Sequence, residues 1–323
     1  MADISKRATL KMLAATTALP ALIPVFSLEA GPLTYNLKPA RITDGVWLIS
    51  GAQEAIDRAN GGAIANVTIF DTRDGAVIVD TGPSKRYGVE LRAVAEQITG
   101  KAVARVYLTH FHPDHVFGNQ AFRSEEIGTL QGVIDGLEAL GEDFASAMYH
   151  AVGDWMRGTE LVLPRRAVSE GVEDIGGRRF RLIPLSGHTG ADLVILEETS
   201  GVLVGGDLAF LDRAPTTPHA ELAHWRKSLE TLAAIGQKML VPGHGPVEPG
   251  RRALEQTRNW IDGMEAQIRD AFERGLSMTE AMAEPLGTYA GNIVLARYEF
   301  ERSVMHFYPK LESGTWPRVD DRG

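Results

Sequence analysis

Short apolar runs, each ended by a glycine, a proline or an acidic residue, alternate along this chain with longer stretches of helical periodicity. The short runs read as buried strands and the longer stretches as amphipathic helices. Strands are expected at 45–49, 66–70 and 76–79, the last two joined by a tight turn at Asp74 and Gly75. A helix follows at 87–98, with Leu91, Val94, Ala95 and Ile98 on one face and Gly100 behind it, and then a strand at 103–108. Residues 124–156 read as one helical stretch, because Ile127, Leu130, Val133, Ile134, Leu137 and Leu140 recur at helical spacing. A second strand-rich stretch begins near Leu161. It holds strands at 180–185, 193–196 and 202–204, the last two paired across Ser200 and Gly201, then a helix at 220–235 and a strand at 238–241. Two helical segments close the chain. Ile261, Met264, Ile268 and Phe272 mark one, and a capping box from Ser277 to Glu280 opens the other. Strands followed by helices, twice over, predict an α/β protein built from two sheet-and-helix halves facing each other.

Several strands end on a residue able to hold a metal ion: Asp80, His110, His188, Asp207 and His244. Singly, an aspartate after a strand is most often a turn residue or a cap, and a glycine-flanked histidine a loop residue. Five together point to a metal site, because strand ends on a rigid sheet keep ligand geometry. The densest stretch is Thr109-His110-Phe111-His112-Pro113-Asp114-His115. His110 and His112, two apart on extended chain, face one side. Pro113 then forces a turn that brings Asp114 and His115 to a second point. The stretch thus offers two ligands to one ion and two to a neighbour. The loop 53–65, with Asn60, Gly61 and Gly62, has the composition of a segment lying over a site.

Composition narrows the picture. The length of 323 residues fits one large domain or two halves sharing a core, and 44% apolar residues is an ordinary globular fraction. A formal charge of −9 argues against a nucleic-acid partner. With no cysteine, any metal site must use histidine and carboxylate. At the N-terminus, Ser5-Lys6-Arg7-Ala8-Thr9-Leu10-Lys11, the apolar residues 12–26 and Leu28-Glu29-Ala30 read as a twin-arginine-like export signal over 1–30. Lys6 and Thr9 depart from that motif, and the alternative is an N-terminal helix packed on the domain. On the export reading the chain is periplasmic, with no membrane span once the signal is removed.

The motifs Val79-Asp80-Thr81-Gly82, His110-Phe111-His112-Pro113-Asp114-His115, Gly187-His188-Thr189, Gly206-Asp207 and Pro242-Gly243-His244-Gly245 resemble the metallo-β-lactamase fold superfamily over about 37–250. The resemblance implies a four-layer αββα sandwich over 31–250, with 251–323 as a helical segment packed on it. It implies a dinuclear site at one edge of the sandwich. His110, His112 and His188 would bind the first metal, Asp114, His115 and His244 the second, and Asp207 would bridge them. Asp80 and Thr189 would support these ligands from outside. Two zinc ions suit the donors best, with iron or manganese as alternatives. A water between two cations is acidified from about 15.7 towards neutrality. Oriented by Asp114, it would hydrolyse a small ester, thioester or lactone.

Asp207 matches thioesterase-, lactonase- and sulfatase-type members, whereas true metallo-β-lactamases have Cys or Ser at that place. β-Lactamase-like amide hydrolysis is therefore the alternative reading. A closer similarity is to the exported zinc metallohydrolases associated with quinoprotein relay systems. It is carried by His112 to Asn119, by Gly206 to Phe210 with Arg213-Ala214-Pro215, by Val241 to Val247, and by Arg297-Tyr298-Glu299-Phe300. A non-catalytic metal-binding accessory protein for quinone-cofactor enzymes is a further alternative, and the resemblance names no protein partner. Arg213 is a candidate for pairing with a substrate carboxylate, although a surface salt bridge is the simpler expectation. His150, His219, His224 and His306 read as surface or packing histidines. Tyr149, Trp155 and Met156 read as core or lid packing, and Trp225 as the anchor of its helix on the sheet.

Overall fold

A computed structural model describes residues 33–315, so the export-signal reading of 1–30 lies outside the described residues. The elements in order are β1 (Ala40–Thr43), β2 (Val46–Ile49), β3 (Val67–Asp71), β4 (Ala76–Val79), α1 (Lys85–Thr99), β5 (Val103–Tyr107), α2 (Pro113–Val116), β6 (Ile127–Leu130) and α3 (Gln131–Val152). There follow β7 (Arg166–Val168), β8 (Gly171–Ile175), β9 (Arg178–Leu185), β10 (Asp192–Glu197), β11 (Val202–Phe210), α4 (Leu222–Ala234), β12 (Met239–His244), α5 (Arg252–Glu273), α6 (Met278–Ala283) and α7 (Ala296–Thr315).

β1 to β7 form one sheet in sequence order, antiparallel as far as β4 and parallel from there on. The second sheet runs β12-β11-β10-β9-β8 and is antiparallel except for β11 with β12. Parallel neighbours need long crossovers, and helices supply them: α1 from β4 to β5, α3 from β6 to β7, and α4 from β11 to β12.

The continuous apolar runs are explained by burial on both faces. In β10, Leu193 and Ile195 enter the core between the sheets, beside Val106 and Ile69 of the first sheet. Val194 and Leu196 enter a second core with Trp225, Trp260, Met264 and Phe300 of the helices. The period-2 alternation therefore separates two apolar layers rather than an inside from a wet outside. The result is an α/β fold of two facing sheets between helical layers, with a helical C-terminal region, as expected. No described helix is long and apolar enough to cross a membrane.

Arg178, at the start of β9, ties the two sheets. Its Nη1 donates to Glu197 Oε2 at 2.9 Å, while Nε and Nη2 donate to the carbonyls of Asp71 and Asp44 at 2.7 and 2.9 Å.

Two expectations need correction. Residues 127–130 are the strand β6, and the helix α3 starts only at Gln131. All four β6 residues are buried between β5 and β7, and Gly128 and Thr129 are poor helix formers. The apparent helical spacing joined a buried strand to the helix after it. Among the described residues, three α-helices follow β12, not two. The Ser277 capping box forms as expected but opens only the short α6. In α7, fully buried Glu299 and Ser303 interrupt the apolar pattern that would have announced it.

Candidate metal centre

The ligand-capable residues meet where their strands end. Asp80 follows β4 with φ of 67°, a left-handed backbone that non-glycine residues adopt at a cost and that is frequent at functional sites. Pro113 is at the first position of α2, so the chain turns between His112 and Asp114 as the sequence implies. β11 runs on through Asp207 to Phe210, with irregular pairing on both sides of Gly206. Close approach explains two glycines. A Cβ at Gly187 would overlap the Trp225 backbone, and one at Gly243 would overlap Asp207 Oδ1.

Two groups of donors result. His110, His112, His188 and Asp207 form one, and Asp114, His115 and His244 the other; within each group the donor atoms lie within 4.8 Å of one another. Asp207, a member of the first group, also reaches donors of the second. Its Oδ2 is 3.3 Å from His188 Nε2, 3.9 Å from His110 Nε2 and 3.3 Å from His244 Nε2, and its Oδ1 is 3.2 Å from His115 Nε2. Asp114 Oδ2 is 3.4 Å from His244 Nε2 and 3.6 Å from His115 Nε2.

The outer ring nitrogens of His110, His112, His115 and His244 are held from outside, which sets their tautomers, whereas His188 Nδ1 is buried without a partner. His115 Nδ1 is 2.8 Å from Asp80 Oδ2, and His244 Nδ1 is 2.8 Å from the Ile64 carbonyl. His110 Nδ1 is 3.0 Å from Thr109 Oγ1, whose hydroxyl donates to Asp80. Asp80 also accepts the Thr109 amide at 2.8 Å, so one carboxylate orients two ligands. Thr189 touches no ligand ring. Its amide and hydroxyl donate to Asp192, which also accepts the His188 amide, so it fixes the His188 turn.

The electrostatics suit cations. Burial, with neighbouring imidazoles, holds His110 and His112 well below the usual histidine range, and burial lowers His188 to about 4. These rings are therefore neutral and carry lone pairs. Burial pushes Asp207 up, but His244, His115, His188 and His110 together bring it well below the ordinary carboxylate range. Burial also lowers His115, yet Asp114, Asp207 and Asp80 raise it well above its usual value. The carboxylates thus draw positive charge to this point. No hydrogen bond reaches the buried His110 Nε2, His115 Nε2, Asp114 Oδ2 or Asp207 Oδ1. Each such orphan costs about 1–3 kcal/mol, and divalent cations held by the two groups would satisfy all four. The residues fit the metals that the fold implies.

Residues 60–244 match the family model of the Metallo-beta-lactamase superfamily. The chain belongs to this superfamily. Its site is a histidine and aspartate centre of the kind that binds divalent metal. It is 23% identical over 266 residues to the probable metallo-hydrolase YqjP of Bacillus subtilis, covering 68% of this chain and 75% of that one. It is 22% identical over 249 residues to a linear primary-alkylsulfatase of Pseudomonas, covering 65% of this chain but only 47% of that enzyme. The chain therefore spans less than half of the alkylsulfatase's length. Among solved structures, a metallo-beta-lactamase from Pontibacter korlensis shares the fold with a TM-score of 0.58 at 21% identity, over 70% of this chain and 99% of that one.

Some contacts of this superfamily chain are not visible in its sequence. His219, read as a surface or packing residue, has its Nδ1 2.8 Å from His112 Nε2. His112 Nδ1 in turn lies 2.9 Å from His188 Nε2, so His219 holds the outer nitrogen of a ligand. Asn66 donates to the Pro242 and Gly245 carbonyls at 2.8 Å and so shapes the His244 turn. Asp192 and the Ile64 carbonyl were likewise unannounced, because only tertiary folding brings them to the site. Arg213 is not in a surface salt bridge: it is 4% exposed and lines the cavity. His150 and His224 are exposed, and His306 is half-buried against Lys310. Trp225 anchors α4 by donating to the Leu208 carbonyl at 3.0 Å. Trp155 packs against Tyr35 with the rings tilted by 42° and donates to the Arg58 carbonyl, Met156 is buried and Tyr149 is exposed. The cavity is lined instead by Phe144, Ala147, Met148 and Ala151 of α3, and by Ala55, Ile56 and Ile64 of the 53–65 loop.

Proposed function

We propose that the protein is a dinuclear zinc hydrolase of a small ester, thioester or lactone. The observation that carries this is Asp207, whose carboxylate lies within 3.3 Å of donors from both groups. A cavity of about 380 Å³ opens on Asp207, Asp114, His112 and His244, a volume that suits a small substrate. Bound at these residues, two divalent cations would acidify a water and polarise the scissile carbonyl.

The chain's own groups do the rest. Asp114 lines the cavity and is placed to orient the water and accept the proton it releases. Asp80, Thr109, His219 and the Ile64 carbonyl keep four ligand rings aimed inward, so little reorganisation accompanies reaction. Water oxygen adds to the carbonyl carbon, the C–O or C–S bond breaks, and the proton passes to the leaving group. An aspartate at 207, where the resemblance places Cys or Ser in true β-lactamases, favours esters over lactams.

The finer parts of this reading are a hydrolase domain over 31–250 with 251–323 packed on it, and a periplasmic location. The export motif at Ser5 to Lys11 supports the location, and the likeness to quinoprotein-relay hydrolases supports a role beside quinone-cofactor enzymes. A reporter fused behind residues 1–30 should be exported and should stay in the cytoplasm once Arg7→Gln is introduced. The activity is tested by screening small esters, thioesters, lactones, β-lactams and alkyl sulfates with zinc-loaded protein. Hydrolysis of an ester, thioester or lactone that disappears in Asp114→Asn is the expected result. Turnover of β-lactams alone would overturn it.

A further inference from the structure

Arg213 is the anomaly of the cavity. It follows β11, lines the same space as Asp114 and Asp207, and is 4% exposed. No carboxylate among the described residues forms an ion pair with it. Its Nε has no hydrogen-bond partner, and its Nη2 reaches only the Glu54 carbonyl at 3.5 Å. A guanidinium is charged at any working pH, so it cannot escape burial by losing its proton. An uncompensated buried charge is costly and is kept where an anion arrives to meet it.

The second cation of the cavity, Arg302 of α7, is already committed. Its Nη1 lies 2.9 Å from Glu299 Oε2 and 2.6 Å from Thr216 Oγ1. Arg213 therefore supplies the unspent charge. In a chain with net charge −9 it is a local exception that offsets long-range repulsion of anions. Phe144, Met148 and Ile56 give the same cavity an apolar lining.

We propose that the substrate is a carboxylate-bearing ester or thioester with an apolar chain, and that Arg213 binds its carboxylate while the scissile group lies at the metal centre. This rests on the hydrolase reading and names the substrate class for it. Arginine suits the role because its planar donors match a carboxylate and fix the substrate's direction as well as its affinity.

The test compares mono-4-nitrophenyl succinate, which carries a carboxylate, with neutral 4-nitrophenyl butyrate of similar size, using the zinc-loaded full chain. The wild type should favour the anionic ester in kcat/KM by about ten-fold or more. Arg213→Gln should lower that ratio at least about ten-fold, with Arg213→Lys keeping part of it. Equal turnover of the two esters, or a ratio unchanged in Arg213→Gln, would overturn the proposal. The wild-type ratio decides even where a variant fails to fold. Calorimetric binding of butyrate separates this proposal from the hydrolase reading. Should neither ester turn over while Arg213→Gln weakens butyrate binding about ten-fold, the hydrolase reading falls and the anion site stands. Unchanged butyrate binding overturns the anion site.

Discussion

Asp80 belongs to neither donor group, yet one ligand of each depends on it: His115 directly and His110 through the Thr109 hydroxyl. Removing such a partner weakens metal binding about 10–100-fold in comparable sites. Asp80→Asn should raise the zinc dissociation constant by that factor, measured by competition with a chromophoric chelator. His219→Phe should act in the same direction through His112, by about ten-fold. Zinc affinity unchanged in His219→Phe would return this residue to a packing role. The two residues also show what was legible at this scale. Asp80 stands at a strand end beside a Thr-Gly turn, a local signal. His219 lies 107 residues from the ring it holds and has no turn or glycine to mark it. Arg213 was visible as a candidate, but its burial was not, because burial depends on the 53–65 loop and α7 folding over it.

At the scale of elements, strands were legible where both faces are apolar, as in β10 and β11, since short continuous apolar runs suit strands buried on both faces. The edge strands β7 and β8 were not singled out, because their exposed residues carry no such pattern. The ends of β11 and β12 approach so closely that Gly243 cannot gain a side chain without displacing Asp207. Gly243→Ala should therefore lose zinc while keeping a cooperative thermal transition. Retention of full zinc content would show that the strands can part. The Arg178 clamp makes a separate prediction. Glu197 has a fully buried side chain, and removing one partner of such a pair costs about 3 kcal/mol. Burial raises its carboxyl, but hydrogen bonds from Ser200 and Thr199 bring it below the usual 4.5. A folded value below the unfolded one means stability that is present above 4.5 and lost as pH falls through the folded value. Urea denaturation of Glu197→Ala should thus show its full deficit at neutral pH and a smaller one in acid.

For the whole molecule, two sheets meet so that β4, β5, β9, β11 and β12 deliver ligands and their supports to one edge, while α3, α7 and the 53–65 loop wall the cavity above it. The strand ends were enough to assemble the donor set, because each carries its chemistry in a short motif. The walls are contributed by distant helices whose register is set only by packing, so substrate preference was the part the motifs left open. Metal content decides the central claim of two adjacent sites sharing Asp207. The full chain, stripped of metal and titrated with zinc under calorimetric observation, should bind two ions, with ester hydrolysis appearing as the second site fills. Asp207→Asn should weaken both binding steps. Saturation at one ion or none, with no hydrolysis of any ester, thioester or lactone, would contradict the dinuclear hydrolase.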